Sequence, residues 1–160
     1  MKTLYLVRHA KSSWEFDVLD HERPLNERGL RDAPRVAQRV AQTMPKPDLL
    51  LSSDAVRAKT TAAIFAKALE IPSQDIVLNH KLYDFEGRDL MAVISACDDS
   101  VDTLMVFGHN HAMTSVVNTY GDKHTDNVPT AGFTAIAFEV SHWKDIAQGK
   151  TIAYLTPKTL

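Results

Sequence analysis

Three short, nearly continuous apolar runs constrain this chain most: residues 3–7 (TLYLV), 48–51 (DLLL) and 103–107 (TLMVF). A strand with one face in water alternates apolar and polar residues. A strand covered on both faces does not, so these runs read as buried parallel strands. Helical patterns lie between them. Asn26 reads as an N-cap, followed by an apolar stripe of Leu30, Ala33, Val36, Ala37, Val40 and Ala41 that ends before Pro45 and Pro47. Pro34 falls inside that stripe, where it either kinks the helix or marks a later start. Further helices are expected over 54–69, 87–96 and from 110 to 120. Strands alternating with helices predict an α/β fold, a mainly parallel sheet flanked by helices on both faces, in one domain over residues 1–160. Residues 133–140 and 151–155 read as two more strands pairing near a sheet edge, and 75–78 as another short strand.

The chain has 160 residues, 44% of them apolar and 24% charged, ample for one core without disulfides or metal. Its formal net charge of −2 excludes a global basic field for nucleic acid or anionic membrane. Cys97 is the one cysteine, so neither an internal disulfide nor a cysteine metal cage can form. The N-terminal residues lack the apolar core of a signal peptide, and no run approaches the roughly 20 apolar residues of a membrane span. A cytoplasmic setting is the expectation.

In open α/β sheets, ligands bind beyond the carboxyl ends of the strands. After the first strand comes Arg8-His9-Ala10-Lys11; after the second, Ser52-Ser53-Asp54-Ala55-Val56-Arg57; after the third, Gly108-His109-Asn110-His111. Three strand ends thus deliver Arg8, His9, Arg57 and His109 to one rim. Two guanidinium groups placed together repel unless an anion lies between them, and arginine is the usual fork for phosphate. Helix N-termini at Asp54 and Asn110 would add N–H donors. The chemistry this suits is phosphoryl transfer, which needs charge neutralisation and an in-line nucleophile. His9 can be that nucleophile if neighbouring arginines keep its imidazole neutral, and His109 can donate to the phosphoryl oxygens.

These same residues resemble the histidine phosphatase superfamily, the phosphoglycerate mutase-like proteins. Leu6-Val7-Arg8-His9-Ala10 is similar to its Arg-His-Gly signature, with alanine in place of the glycine. Residues 51–61 resemble its Ser-x-x-x-Arg-Ala-x-x-Thr segment, residues 106–110 its Gly-His motif, and residues 23–29 (RPLNERG) a Pro-Leu-x-x-x-Gly stretch. The resemblance implies that His9 is the phosphoacceptor and that Arg8, Arg57 and His109 complete the phosphate pocket. The short length resembles the SixA-type phosphohistidine phosphatases rather than the larger mutases. Many relatives carry a general-acid carboxylate between the second and third motifs. Here the candidates are Asp84 and Glu86, with Asp84 favoured, the alternative being that either one caps the helix near Gly87.

Residues 10–25 form a long connection without periodicity, a common place for function. Lys11 and Ser12 lie close enough to His9 in sequence to touch a ligand, and Asn110 follows His109 at the rim. Trp14 either contacts substrate or packs on the core surface. Arg23 either approaches the pocket or forms a surface ion pair with Asp20 or Glu22. A metal reading would join His9, His109 and His111, but Arg8 and Arg57 would repel the ion, so the expected metal set is none. His80, His124 and His142 show no partner pattern. No nucleotide-binding fingerprint indicates a cofactor. The expected partner is a phosphorylated protein or a small phosphorylated molecule. Neither nucleic acid nor a membrane is expected, and the oligomeric state is left open. A metal-dependent hydrolase, a non-catalytic phosphate-binding module and a phosphomutase remain as alternatives.

Overall fold

The computed structural model describes all 160 residues and orders the apolar runs into one six-stranded sheet. In chain order the elements are β1 (Lys2–Arg8), α1 (Glu27–Thr43), β2 (Leu49–Ser52), α2 (Val56–Ala68), β3 (Ile76–Leu78), α3 (Arg88–Ser95), β4 (Thr103–Gly108), α4 (Ala112–Tyr120), β5 (Phe133–Phe138) and β6 (Lys150–Leu155). Across the sheet the order is β3-β2-β4-β1-β5-β6. β3, β2, β4 and β1 are parallel, whereas β5 and β6 join antiparallel at one edge. No helix is long and apolar enough to cross a membrane.

The sheet buries both faces, which explains the unbroken apolar runs. Along β1 the side chains alternate between two cores. Tyr5 and Val7 join Val36 and Val40 of α1, Phe65 of α2, Phe107 and Phe133. Leu4 and Leu6 join Leu90 and Ile94 of α3, Met113 and Val117 of α4, and Trp143. Helices therefore cover both faces, α1 and α2 on one and α3 and α4 on the other.

Some sequence expectations shift. Pro34 lies inside α1 and neither starts nor ends it. The side chain of Asn26 accepts the Gly29 N–H and fixes the helix start, and Ala33, Val36, Ala37 and Val40 are fully buried beyond it. Burying that stripe outweighs the roughly 3 kcal/mol cost of an interior proline. Leu30, placed in the stripe by periodicity, is instead 52% exposed. The strand expected to reach Val140 stops at Phe138. The helices expected from Asp54 and Asn110 begin two residues later, at Val56 and Ala112, leaving those two side chains free for other bonds.

Gly29 is required at the α1 N-terminus. A Cβ there would sit 2.2 Å from the Lys11 carbonyl oxygen, so the helix end can lie directly on the backbone that follows β1. The Asn26 N–H donates to that same carbonyl at 3.0 Å. The segment 23–29 thereby packs against residues 11–13.

Candidate active site

Register places the three strand ends side by side. Arg8 pairs with Gly108 across β1 and β4, and Ser52 pairs with Phe107 across β2 and β4. An open cavity of about 530 Å³ lies beyond them. Arg8, His9, Lys11, Ser12, Arg23, Arg57 and Asn110 line it, together with Trp14, Asp20, Phe85 and Thr130.

His9 is 7% exposed. Its Nδ1 lies 2.7 Å from the Ala10 carbonyl oxygen. A carbonyl only accepts, so Nδ1 carries the proton and the neutral ring keeps its lone pair on Nε2. The pKa of His9 is lowered to about 3. Burial is the largest cause; the bond to Ala10 opposes it, and the charges of Arg57, Arg8 and Arg23 push in the same direction as burial. His109, 1% exposed, is lowered to about 2, by burial first and then by His9 and Arg57. Its Nε2 meets Ser53 Oγ at 2.8 Å, and the two imidazole rings lie 5.2 Å apart.

Three buried nitrogens at this site have no partner within the protein: Arg8 Nε, Arg57 Nε and His109 Nδ1. Buried polar atoms left unpaired are rare and costly. Their coincidence at three adjacent strand ends is what a bound oxyanion would satisfy. Arg8 is steadied from behind, its Nη1 donating to the Val128 carbonyl at 2.8 Å. Arg57, 2% exposed, sits in the first turn of α2 and directs its other nitrogens to Asp20. Nη1 donates to the Asp20 carbonyl at 2.6 Å and Nη2 to Oδ2 at 2.9 Å.

Alanine at position 10 fits because its backbone is not in the left-handed region. Ala10 is fully buried, and its N–H donates to Thr61 Oγ1 at 3.0 Å. Ser12 Oγ accepts from Arg23 Nη1 at 2.6 Å, and the Asn110 side chain accepts from Thr114 N–H at 3.1 Å. Both Ser12 and Asn110 line the cavity. Asp84 does not line it. Its two oxygens accept from the N–H groups of Glu86, Gly87 and Leu90, so the carboxylate serves the turn into α3, the capping role weighed for it. Glu86 is likewise outside the cavity lining.

The loop over residues 10–25 contributes more than its sequence shows. Arg23 is not a surface residue: it is 7% exposed, and its Nε donates to Asp20 Oδ1 at 3.1 Å. Trp14 packs on no core. It is 75% exposed, with the Arg23 guanidinium 3.6 Å above its ring. Asp20 gathers Arg57, Arg23 and the Tyr83 hydroxyl around one carboxylate. Burial works to raise its pKa, but those hydrogen bonds and the Arg57 charge hold it well below the usual carboxylate range. The sequence shows Asp20 only as a neighbour of Arg23, because its distance from Arg57 along the chain hides the contact. Tyr83 and Phe85, also unanticipated, stand edge-on or tilted against the His109 ring at 5.3 and 5.2 Å.

His9, His109 and His111 do not form a three-ligand cluster. The histidines that lacked a partner pattern do have partners: His80 meets Asp54, His124 meets Asp126 and His142 meets Asp99.

The depressed histidine pKa values have a direct check. A free imidazole is half-protonated near pH 6.5. His9 and His109 are expected to stay neutral at pH 5, seen as neutral-ring 15N shifts. The sign for stability follows. The unfolded chain binds these two protons near pH 6.5 and the folded chain does not, so their contribution is complete above pH 6.5 and is lost as pH falls toward 3. Protonation of His9 near pH 6.5 would contradict the geometry.

A buried neutral histidine with one unprotonated ring nitrogen, faced by guanidinium groups and unpaired buried nitrogens, suits phosphoryl chemistry. The family model of the histidine phosphatase superfamily (branch 1) matches residues 4–93, more than half of the chain. The chain belongs to the histidine phosphatase superfamily, a family of phosphatases. A crystal structure assigned as the phosphohistidine phosphatase SixA from Agrobacterium tumefaciens is 28% identical, with 98% of each chain covered and a TM-score of 0.80. An uncharacterized protein of Mycobacterium tuberculosis is 29% identical over 153 residues, 89% of this chain and 93% of its own. A mycobacterial glucosyl-3-phosphoglycerate phosphatase, 13% identical, shares the fold with a TM-score of 0.70 over 98% of this chain and 100% of its own.

Proposed function

We propose that this phosphatase acts through a phosphohistidine intermediate on His9, needs no metal for its chemistry, and favours phosphohistidine carried on a protein over small phosphomonoesters. The observation that carries this is the His9 ring, held by Ala10 so that Nε2 is the free nucleophile beside Arg8 and Arg57. Nε2 attacks phosphorus as the bond to the leaving group breaks. Arg8, Arg57 and His109 Nδ1 take up the charge on the phosphoryl oxygens. Water then attacks the phosphohistidine, releasing phosphate and restoring neutral His9. Ser12 and Asn110 serve as further contacts for the substrate at the rim. The incoming phosphoryl group takes over the Arg57 fork from Asp20.

Substrate preference follows from the proton the leaving group requires. Asp84 is committed to backbone N–H groups, and Asp20 is held ionised among its donors, so neither is a ready acid. An alkoxide leaving group needs a proton from elsewhere. An imidazole leaves well when its own ring is already protonated. The mouth of the cavity points the same way: Trp14 and Phe85 line it and are 75% and 43% exposed, apolar surface suited to a protein partner. No long segment between β2 and β4 encloses a small metabolite, so remote contacts that promote the reaction of a small substrate are few. The likeness to the structure assigned as SixA supports the same substrate class.

The test compares kcat/KM for a phosphohistidine-bearing protein with that for a sugar phosphate. A clear preference for the phosphoprotein is expected. Preference for the sugar phosphate would overturn the substrate assignment and indicate that residues 10–25 close over the pocket.

Activity should also persist in EDTA and be inhibited by vanadate or phosphate, because the charge at the phosphoryl site is neutralised by guanidinium groups. Loss of activity on chelation, restored by zinc or manganese, would promote a metal-dependent hydrolase instead.

A further inference from the structure

On the outer side of Asp20 lies a second constellation that phosphoryl transfer does not use. His21 Nε2 is 2.7 Å from Asp54 Oδ1, and His80 Nδ1 is 3.0 Å from both Asp54 oxygens. The three donor atoms lie within 4.8 Å of one another. They come from three separate places: the turn Asp20–Glu22, the junction between β2 and α2, and the turn His80–Leu82. Tyr83 stands beside both rings, 5.0 Å from His21 and 5.7 Å from His80.

We propose that His21, Asp54 and His80 form a binding site for a divalent transition cation, zinc being the probe of choice, and that the bound ion acts as a brake on the phosphatase. Two imidazoles and one carboxylate are a set that suits zinc and its neighbours over magnesium or calcium. Zinc ligands about 2.0–2.2 Å from the ion stand roughly 3.3 Å apart in a tetrahedron. The existing separations of 2.7 and 3.0 Å require only small movements of side chains that are 35%, 30% and 72% exposed. That exposure also leaves the fourth position to water. Binding the ion replaces the N–H protons that His21 Nε2 and His80 Nδ1 direct at Asp54, each proton moving to the other ring nitrogen or to solvent. The nearby Arg57 charge, which disfavours a cation at His9, is already matched here by Asp20.

The brake rests on the function proposed above; the binding does not. His21 follows Asp20 directly, and Asp54 lies three residues before Arg57. An ion tying His21 to Asp54 fixes the segment whose carboxylate occupies the Arg57 fork. A phosphoryl group must displace that carboxylate, so the tied segment slows turnover without touching His9.

The experiment titrates zinc into the whole protein by calorimetry and measures kcat/KM on a chromogenic aryl phosphate along the titration. The wild type, His80→Ala, His21→Ala and a control with His124→Ala and His142→Ala are compared. One ion per chain is expected. Affinity should fall more than about tenfold in each of the first two variants and stay unchanged in the control. Filling the site should lower kcat/KM several-fold in the wild type and leave His80→Ala unaffected, with equal activity in metal-free wild type and His80→Ala. Absence of zinc binding, or wild-type affinity in either His80→Ala or His21→Ala, would overturn the site. Binding lost in His80→Ala with kcat/KM unmoved in the wild type would overturn the brake. Neither result depends on whether phosphohistidine is the substrate, and a failure of His9 as nucleophile would leave the calorimetry unchanged.

Discussion

Replacing His9 by alanine should reduce turnover on the order of 10⁴-fold or more, the scale seen when a covalent nucleophile is removed. His9 is the residue at this site whose unprotonated ring nitrogen is fixed by a hydrogen bond on the opposite side of the ring, Nδ1 to the Ala10 carbonyl. The other buried imidazole, His109, is engaged at Nε2 by Ser53 Oγ, which itself accepts the Ala55 N–H. With the Ser53 hydroxyl donating to Nε2, its Nδ1 would carry the proton and serve the proposed reaction as a donor rather than a second nucleophile. The variant should keep its fold, because the ring is not part of either apolar core. Initial rates on an aryl phosphate, with thermal unfolding as a control for structure, give the answer. A folded His9→Ala protein that retained a tenth of the activity would mean that water attacks the substrate directly.

Arg57→Ala should damage both binding and chemistry. A charge-assisted contact to phosphate is worth roughly 1.5–3 kcal/mol, and loss of one transition-state donor costs about 10²–10³ in kcat. Arg57 has an additional role that Arg8 does not share. It holds Asp20 through Nη1 and Nη2, so its removal also frees the carboxylate that faces the pocket. Arg57→Lys keeps the charge but loses the planar fork, and should recover only part of the loss. The measurement is competitive inhibition by phosphate alongside kcat. An unchanged inhibition constant in Arg57→Ala would place this guanidinium outside the phosphate pocket.

The parts of the molecule legible in its sequence are those where one local pattern has one physical meaning. Runs such as residues 104–107 are apolar without interruption because β4 lies at the centre of the sheet, between β2 and β1. Their carboxyl ends then locate His9, Arg57 and His109, since parallel strands present those ends to the same rim. Asn26 reads correctly as a cap because the cap is a contact three residues long. The less legible parts depend on contacts between distant segments. Nothing in the order of residues shows that Asp20 meets Arg57 and Tyr83, or that His21 and His80 converge on Asp54. Residues 10–25 lack periodicity, which assigns their side chains no face, so the sequence alone allows two readings each for Arg23 and Trp14. Asp84 illustrates a different limit. A carboxylate before a helix satisfies both a catalytic and a capping expectation, and only the three backbone N–H groups around it decide where its oxygens are used.

In the proposed reaction the phosphoryl group resides on His9 between attack and hydrolysis. Rapid quenching of wild-type enzyme with 32P-labelled phosphohistidine protein, followed by peptide mapping, tests this directly. The result expected is a transient label that is labile to acid and stable to alkali, present at up to one per chain, located on the peptide containing His9 and absent from His9→Ala. Turnover of the same substrate with no label on that peptide at any quench time, under conditions where release of phosphate is the slower step, would contradict the account.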